Sequence, residues 1–207
     1  MVRVQYCPPQ DAFMEGVFFK GKEVKRMLKY AFIINVPGIV PGSYQAIYEN
    51  SESLSQIVGV DGMLEAEKLV IQLGKDGFDL LNFCGDFDDA ITARFQQLGQ
   101  GKTKCLNVKH SEENLGGMES LGEDLKEYGI LVVMRGVVEP VRYDLLSEGW
   151  NTHAVFVRDL EDAVSTARKM KEEGIQLIEL CSWFDEEKTR AIEKAVEGKV
   201  IVGTSGS

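Results

Sequence analysis

The feature that most constrains the fold of this chain is an internal repeat. Residues 53–105 align with residues 150–202 without a gap, at an offset of 97 positions in a chain of 207 residues. Several of the identical positions are glycines, cysteines and aspartates, including Gly77/Gly174, Cys84/Cys181, Asp88/Asp185 and Gly101/Gly198. Identity at residues of these types preserves turns and helix starts, so we interpret the chain as a tandem duplication of one supersecondary unit.

Each half has the same succession of apolar runs and helical patterns. In the first half we predict strands at 30–36, 56–60, 78–84 and 103–108, and helices at 63–73 and from Asp88 to about Gly101. In the second half we predict strands at 128–134, 153–157, 175–181 and 200–202, and helices at 160–171 and from Asp185 to about Gly198. A short helix is predicted at 44–49 and at 143–147, and the match extends upstream to pair Tyr30 with Tyr128. Strands that alternate with helices predict parallel sheets with right-handed crossovers.

This order predicts an α/β fold made of two β-loop-β-α-β-α-β units, each with a mostly parallel sheet, related by a pseudo-twofold axis. A (βα)₈ barrel is the alternative, and it is disfavoured because the link between the first two strands of each half is broken by proline and charged. We divide the chain into an N-terminal extension at 1–28, a first repeat at 29–110, an acidic connecting segment at 111–126 and a second repeat at 127–207. The extension is expected to contain a strand at 2–6 and a helix around 22–28, and the connecting segment a helix at 118–127.

One segment of the second half carries a family resemblance. Residues 173–185 read EGIQLIELCSWFD, and residues 198–203 read GKVIVG. These motifs resemble the signature of an uncharacterised prokaryotic domain family, whose members read "EG-V-QLIELCGGFG" and then "VPVG"; the second half matches over 128–203 and the first more distantly over 30–108. The family carries no assigned activity, so the resemblance implies the duplicated fold and leaves the function open. Where the family has two glycines after its cysteine, this chain has Gly85 and Asp86 in one half and Ser182 and Trp183 in the other.

Composition excludes several classes of partner. With 33 acidic and 23 basic residues the formal net charge is -10, so we expect neither nucleic acid nor a membrane surface as a partner. No apolar run approaches the roughly 20 residues that span a bilayer, and Pro8 and Pro9 stand where a signal peptide needs an apolar helix, so a cytoplasmic location is expected. Four cysteines without a CxxC pair and two histidines predict no metal site and no other cofactor.

The candidate functional residues lie at predicted strand ends, where parallel α/β folds bind ligands. The third parallel strand of each half ends in Cys84 or Cys181, just before a helix N-terminus. The two-residue period of a strand places Asn82 on the same face as Cys84, and Glu179 on the same face as Cys181. A carboxylate within an apolar strand is costly unless it is paired, which makes Glu179 the most informative polar residue of the chain.

Two interpretations of these residues stay open. In the functional one, Cys181 is a nucleophile or ligand contact whose thiolate is favoured by the helix N-terminus, with Glu179 as base or anchor. In the structural one, the cysteines are small core residues and Glu179 pairs with an arginine such as Arg135 or Arg158. The residues expected to contact a ligand are Asn82, Gly85, Asp86, Ser182 and Arg135.

The two histidines admit two interpretations as well. His110 follows the last strand of the first half, at the same edge as Cys84, so a Cys84/His110 pair is the sharpest nucleophile hypothesis. Ser207 stands at the equivalent position of the second half, so only one half could carry such a pair. The alternative is that His110 and His153 are exposed polar ends of strands.

We therefore expect a cytosolic α/β protein that binds a small molecule, or acts on one as an enzyme, at the strand C-terminal ends near Cys84 or Cys181. The alternative is a non-catalytic binding or assembly module that forms homo-oligomers. Asp88 and Asp185 are interpreted as helix N-caps rather than as catalytic groups. The sequence does not decide whether the chain is an enzyme.

Overall fold

The two halves fold into equivalent α/β units. The computed structural model describes residues 26–85, 87–99 and 102–206. The first unit consists of β1 (Leu28–Asn35), β2 (Gln45–Glu49), β3 (Ser53–Val60), α1 (Gly62–Lys75), β4 (Leu80–Cys84), α2 (Asp89–Leu98) and β5 (Lys104–Asn107). The second unit follows α3 (Glu112–Leu121) and consists of β6 (Glu127–Val133), β7 (Val141–Leu146), β8 (Asn151–Val157), α4 (Leu160–Glu172), β9 (Leu177–Leu180), α5 (Glu186–Val196) and β10 (Ile201–Thr204).

Each unit contains one five-stranded sheet with its first strand in the centre. The strand orders are β2-β3-β1-β4-β5 and, read in the equivalent direction, β7-β8-β6-β9-β10. Among the strands that the structure describes, only β2 and β7 run antiparallel to their neighbours. The predicted duplicated α/β fold is confirmed, and the barrel alternative is wrong because the described strands form two open sheets.

The short helices predicted at 44–49 and 143–147 are wrong, because both segments lie in edge strands. Burial alternates along β2 and β7 with the two-residue period of a strand. The turns that follow are closed by side chains: Asn50 Oδ1 accepts from the Ser53 N–H at 3.0 Å, and Ser147 Oγ accepts from the Trp150 N–H at 3.1 Å. These turns return the chain for antiparallel pairing with β3 and β8.

Two further predictions differ from the structure. The helix of the connecting segment begins earlier than the predicted 118–127, because Ser111 Oγ caps α3 by accepting from the Asn114 N–H at 3.2 Å. The helix expected around 22–28 does not reach residue 28, since β1 begins at Leu28. The rest of that helix, the strand expected at 2–6, and the predicted positions Asp86 and Ser207 lie outside the described residues.

The two sheets pack face to face, with helices on their outer faces. Tyr30, Phe32 and Ile34 of β1 share one core with Tyr128 and Ile130 of β6. The alternate residues of β1 pack against α1 and α2 in a second core. This arrangement buries the polar residues on the inner faces of β4 and β9 between the halves. Among the described residues, no helix has the length and apolar character needed to cross a membrane.

Candidate functional site

The predicted strand-end residues lie in a buried interface between the two sheets. Asn82 is fully buried, and the exposed fractions of Glu179, Cys84 and Cys181 are only 2 or 3%. They are buried because the inner face of each sheet packs against the other half. A site built from them must therefore be shared by both halves.

Glu179 is paired, but with a histidine of the first half and not with an arginine. His110 Nε2 lies 3.4 Å from Glu179 Oε1, and the side chains are 9% and 2% exposed. Arg158 instead forms its ion pair with Asp162. The prediction of an arginine partner is therefore not confirmed for Arg158, and the prediction that His110 is an exposed strand end is wrong.

The His110 side chain fits beside β10 because residue 203 is a glycine. A Cβ atom at Gly203 would lie 2.2 Å from His110 Cε1, so no larger residue fits while the ring keeps its place. Lys109 and Thr204 exchange two backbone hydrogen bonds of 2.8 and 3.0 Å beside it, which hold the preceding residue of His110 against β10. The end of the first half is thus paired with β10 of the second half at this edge.

Cys84 and His110 make their observed contacts with different partners. Tyr128 Oη donates to Cys84 Sγ at 2.9 Å, across the interface between the halves. Burial, together with the neighbouring Cys84 and Glu179, raises the pKa of Tyr128 well above its ordinary value, so the phenol keeps its proton. Cys84 thus contacts Tyr128 and His110 contacts Glu179, each across the two halves, and the Cys84/His110 pair stays a prediction.

Cys181 is a protonated thiol at neutral pH. Burial raises its pKa to about 11, and backbone N–H groups, including that of Val133 at 3.4 Å, lower it only in part. The expected activation by the helix N-terminus is therefore outweighed by loss of solvent. A thiolate nucleophile needs the opposite environment.

Cys181 also lines an open cavity between the halves. The cavity has a volume of about 40 Å³ when the open solvent at its entrance is left out. About 10–15 Å³ of such space holds one water. Its lining residues come from the N-terminal ends of the first sheet's strands and the C-terminal ends of the second sheet's strands: Leu28, Tyr30, Ser53, Leu54, Ser55, Leu80, Val132, Val133, Met134, Cys181, Ser182 and Trp183.

Three hydroxyl groups of this cavity are buried without a hydrogen-bond partner among the described residues. They are Tyr30 Oη, Ser53 Oγ and Ser55 Oγ, on residues that are 7%, 1% and 0% exposed. Burial of an unpaired hydroxyl costs free energy, which makes these three groups the most polar part of a mostly apolar wall. We call this space the open niche.

The equivalent space on the other side of the interface is filled by the chain itself. In the repeat alignment Trp150 stands for Ser53 and Thr152 for Ser55. The Trp150 ring lies 5.3 Å from the Tyr128 ring, and Tyr44 Oη donates to Thr152 Oγ1 at 2.7 Å. We call this space the filled niche.

A second glycine explains how Tyr44 reaches the filled niche. A Cβ atom at Gly59 would lie 2.6 Å from Tyr44 Cδ1, so the tyrosine crosses β3 where the strand has no side chain. In the second half Phe156 aligns with Gly59, and the residue opposite it is Val141, whose side chain has no hydroxyl group. The open niche therefore has no counterpart of the Tyr44 hydroxyl.

The residues predicted to contact a ligand are spread over several places. Ser182 lines the open niche. Asn82 lies in the buried interface, where both atoms of its side-chain amide lack a hydrogen-bond partner among the described residues. Gly85 is exposed, and the carbonyl of Arg135 accepts from Asn50 Nδ2 at 2.8 Å. Asp86 is outside the described residues.

His153 is buried in a charged cluster, so its prediction as an exposed strand end is wrong. Its Nε2 lies 2.7 Å from Glu127 Oε2, and its Nδ1 lies 2.7 Å from Asp144 Oδ1. The hydrogen bond with His153 lowers the pKa of Glu127, and Arg142 and His153 lower that of Asp144 against the effect of burial. The described residues contain no group of three or more histidine, cysteine or acidic residues suited to a metal ion.

The helix-start aspartates act as predicted. Asp88 accepts from the Ile91 N–H at 2.8 Å and Asp185 from the Lys188 N–H at 3.0 Å, so both are N-caps.

Sequence reasoning missed the walls of the two niches. The available signal was the repeat alignment, in which Ser53 is aligned with Trp150 and Ser55 with Thr152.

The comparison with protein families follows the boundaries of the two units. A family described as "Family of unknown function (DUF6506)" matches residues 28–123 and, a second time, residues 128–206. The chain belongs to this family. The double match confirms the expected tandem duplication of a domain without an assigned activity, whereas the signature read from residues 173–185 stays a prediction. No curated protein matches this DUF6506 chain.

Solved structures resemble the DUF6506 chain only weakly. An NtrC family transcriptional regulator from Clostridium acetobutylicum is 11% identical, with 87% of this chain and 88% of that chain covered and a TM-score of 0.28. An ABC transporter solute-binding protein from Conexibacter woesei is 12% identical over 84% and 69% of the two chains, with a TM-score of 0.27. A periplasmic solute-binding protein from Actinobacillus succinogenes with bound D-allose is 12% identical over 84% and 76%, with a TM-score of 0.28. Scores this low carry no argument about function.

Proposed function

We propose that this protein is a cytoplasmic small-molecule-binding protein that holds a compact, uncharged ligand in the open niche. The observation that carries the proposal is the set of three buried, unpartnered hydroxyls on Tyr30, Ser53 and Ser55. An occupant that hydrogen-bonds to them recovers the free energy that their burial costs. The position of Ser182 and Cys181 on the same wall agrees with a site at the strand C-terminal ends of the second half.

The lining favours an uncharged ligand. The remaining wall is mostly aliphatic or aromatic, and no lysine, arginine or carboxylate side chain lines it among the described residues. A buried charge without a partner is strongly unfavourable. A hydroxyl, carbonyl or amide group on an apolar body matches such a wall.

We propose binding rather than covalent catalysis because the niche lacks an activated nucleophile. The Cys181 pKa of about 11 leaves the thiol neutral at pH 7, and no histidine or carboxylate lines the niche to take its proton. Alkylation of Cys181 by iodoacetamide at pH 7 is therefore expected to be slow in the folded protein. Rapid labelling would favour the nucleophile hypothesis instead.

The test is ligand-observed NMR with a panel of small uncharged alcohols, ketones and phenols. Ser55→Ala removes one niche hydroxyl, and loss of its hydrogen bond is expected to weaken binding about tenfold. Thr152→Val removes the equivalent hydroxyl from the filled niche and is the matched control, which should leave the affinity unchanged. The proposal is wrong if no member of the panel binds, or if the two variants affect binding equally.

A second candidate is a homo-oligomeric assembly role, which the free edges of the sheets favour. β2 and β7 each end a sheet, and they carry the exposed apolar residues Ile47 and Leu146. Ile47→Lys would then lower the mass measured by light scattering, whereas Leu64→Lys on α1 would not. A monomeric wild-type protein contradicts this candidate.

A further inference from the structure

We infer that a groove beside α1 is a second binding site, separate from the open niche, and that it takes an organic cation: an ammonium or guanidinium group on an aliphatic body. The groove lies on the outer face of the first unit, between α1 and the end of β3, and shares no lining residue with the open niche. Its volume is about 350 Å³, within the range of about 300–1,000 Å³ that is usual for ligand pockets. We call this space the α1 groove.

The α1 groove lies where parallel α/β sheets bind ligands. From β1 the chain continues to β2 and β3 on one side of the sheet, and from β3 it continues through α1 to β4 on the other side. Ligands of open α/β sheets bind at the carboxyl ends of strands where successive connections diverge in this way. The end of β3 and the first turns of α1 line the groove, so it occupies such a position.

Part of the groove wall is apolar. Val58 and Val60 of β3 are each 6% exposed and belong to the core under α1. Leu69 of α1 and Pro41 of the loop after β1 complete this part of the wall. Burial of apolar surface is favourable, so these side chains can hold an aliphatic group of a ligand.

One carboxylate of the groove is not used by the chain itself. Asp61 directly precedes α1, but its side chain caps no N–H group of the helix, unlike the aspartates that precede α2, α4 and α5. The Gly62 N–H donates instead to Asn35 Oδ1, at 2.9 Å. The Asp61 carboxylate therefore lines the groove without a hydrogen bond or an ion pair among the described residues.

The charges that line the groove leave a negative excess. The charged lining residues are Asp61, Glu65 and Lys68. Lys68 Nζ lies 2.7 Å from Glu65 Oε1, so these two charges offset each other. The charge of Asp61 has no such partner, and a cation next to it would gain a favourable Coulomb interaction. The charge of the wall thus favours a cationic ligand over a neutral or anionic one.

The second half places a cation of its own at this corner of the fold. In the repeat alignment Arg158 stands for Asp61 and Asp162 for Glu65. The Arg158 guanidinium donates to both carboxylate oxygens of Asp162, at 2.5 and 2.7 Å. Arg158 thus shows that a cation fits against the carboxylate of the first helical turn. The first half has carboxylates at both positions, so a cation beside Asp61 must come from outside this pair.

The test is an NMR titration of the full chain, read from the backbone amide signals, with cyclohexylmethylamine and its uncharged analogue cyclohexylmethanol. The amine is expected to shift the signals of Gly59, Gly62 and Leu69 and to bind there about fivefold more tightly than the alcohol, as for a partly exposed ion pair. Asp61→Asn should remove this difference. Glu113→Gln makes the same change of charge at an exposed position of α3 and should leave it unchanged.

A second variant copies the other half of the chain. Asp61→Arg places a guanidinium next to Glu65, as Arg158 lies next to Asp162, and should abolish binding of the amine in the groove. The φ angle of Asp61 is -95°, which any residue adopts, so the variant is expected to fold. Amine binding by Asp61→Arg at the affinity of the wild type would overturn the inference.

Two further outcomes contradict the site. Equal affinities of the amine and the alcohol for the wild type would show that the groove does not select a cation. If the amine leaves the signals of Gly59, Gly62 and Leu69 unshifted, the groove is not a site for it. Shifts confined to Ser53 and Ser55 would place the probe in the open niche, which supports the proposed function and overturns the second site.

Discussion

The open and filled niches show two outcomes of one duplicated frame. Both lie where the strand N-terminal ends of one half meet the strand C-terminal ends of the other, and both are walled by a tyrosine, Tyr30 or Tyr128. In one, Tyr44 and Trp150 complete the packing and Tyr44 donates to the Thr152 hydroxyl, while Trp150 Nε1 has no partner among the described residues. In the other, two serines leave space and unpaired hydroxyls. The comparison teaches that in a duplicated chain one copy of a space can be packed with side chains while the other stays open.

The same asymmetry is present at the centre of the interface. Asn82 and Glu179 occupy aligned positions on the inner faces of β4 and β9. Glu179 is paired with His110, whereas the Asn82 amide has no partner among the described residues. His110 has no repeated counterpart, since Ser207 is aligned with it. A histidine that only one half contains therefore decides which polar position is stabilised.

The largest effect on stability is expected at this pair of positions. Glu179→Ala should lower the free energy of unfolding by about 3–5 kcal/mol, because it leaves His110 buried without its partner. Asn82→Leu has a similar volume and removes only an unpaired amide, so its effect should stay within about 1 kcal/mol. Urea denaturation of both variants measures the difference. Equal losses would mean that Asn82 is as well satisfied as Glu179.

A smaller loss is expected where the glycine of β10 admits the histidine. Gly203→Ala should cost about 1–3 kcal/mol, because its Cβ would meet the His110 ring at 2.2 Å. The aligned residue of the first half is Leu106, where no histidine intervenes. In the double variant with His110→Ala the closest clash is gone and only the contact with Val108 Cγ1 at 2.7 Å remains, so the two losses should add up to less than their sum. Additive losses would show that the glycine is needed for another reason.

The third test compares the hydroxyl groups of the two niche tyrosines, and the expected difference in the free energy of unfolding is about 1 kcal/mol. Tyr128→Phe removes a hydroxyl that donates to Cys84 at 2.9 Å and should cost about that much. Tyr30→Phe removes a hydroxyl without a partner among the described residues, and the ligand-free protein should lose nothing. Thermal unfolding of the two variants in the same buffer gives the comparison. A larger loss for Tyr30→Phe would reverse the assignment of filled and open niches.

The sequence predicted most elements because their periodicity is local. The alternation of strands with amphipathic helices, the glycine stops and the aspartate caps are set within about fifteen residues. The edge strands β2 and β7 were missed because short segments with at most one buried residue do not distinguish a helix from a strand.

The site was predicted less well because its contacts join distant parts of the chain. Periodicity places Glu179 and Cys181 on one face of β9, but it does not say that this face packs on the other half. The partner of Glu179 is His110, and the partner of Cys84 is Tyr128, both from the opposite unit. Only the packing of the halves determines these pairs.

The smallest effect concerns the outer charged cluster, where His153 stands in the second half and Gln56 in the first. The folded-state pKa values of Glu127 and Asp144 are lowered, so their contribution to stability is present near neutral pH. That contribution is lost as the pH falls through the folded-state pKa values, because the unfolded carboxylates take up protons first. The partly exposed carboxylates make the effect small.

His153→Gln copies the residue of the first half and removes the group that lowers the pKa of Glu127 most. The variant should therefore lose less stability than the wild type between pH 6 and about pH 3, when the free energy of unfolding is measured in urea at several pH values. Gln56→Ala, at the aligned position, should leave the slope of the wild type unchanged. If the His153→Gln curve runs parallel to that of the wild type, the cluster contributes nothing to the acid sensitivity.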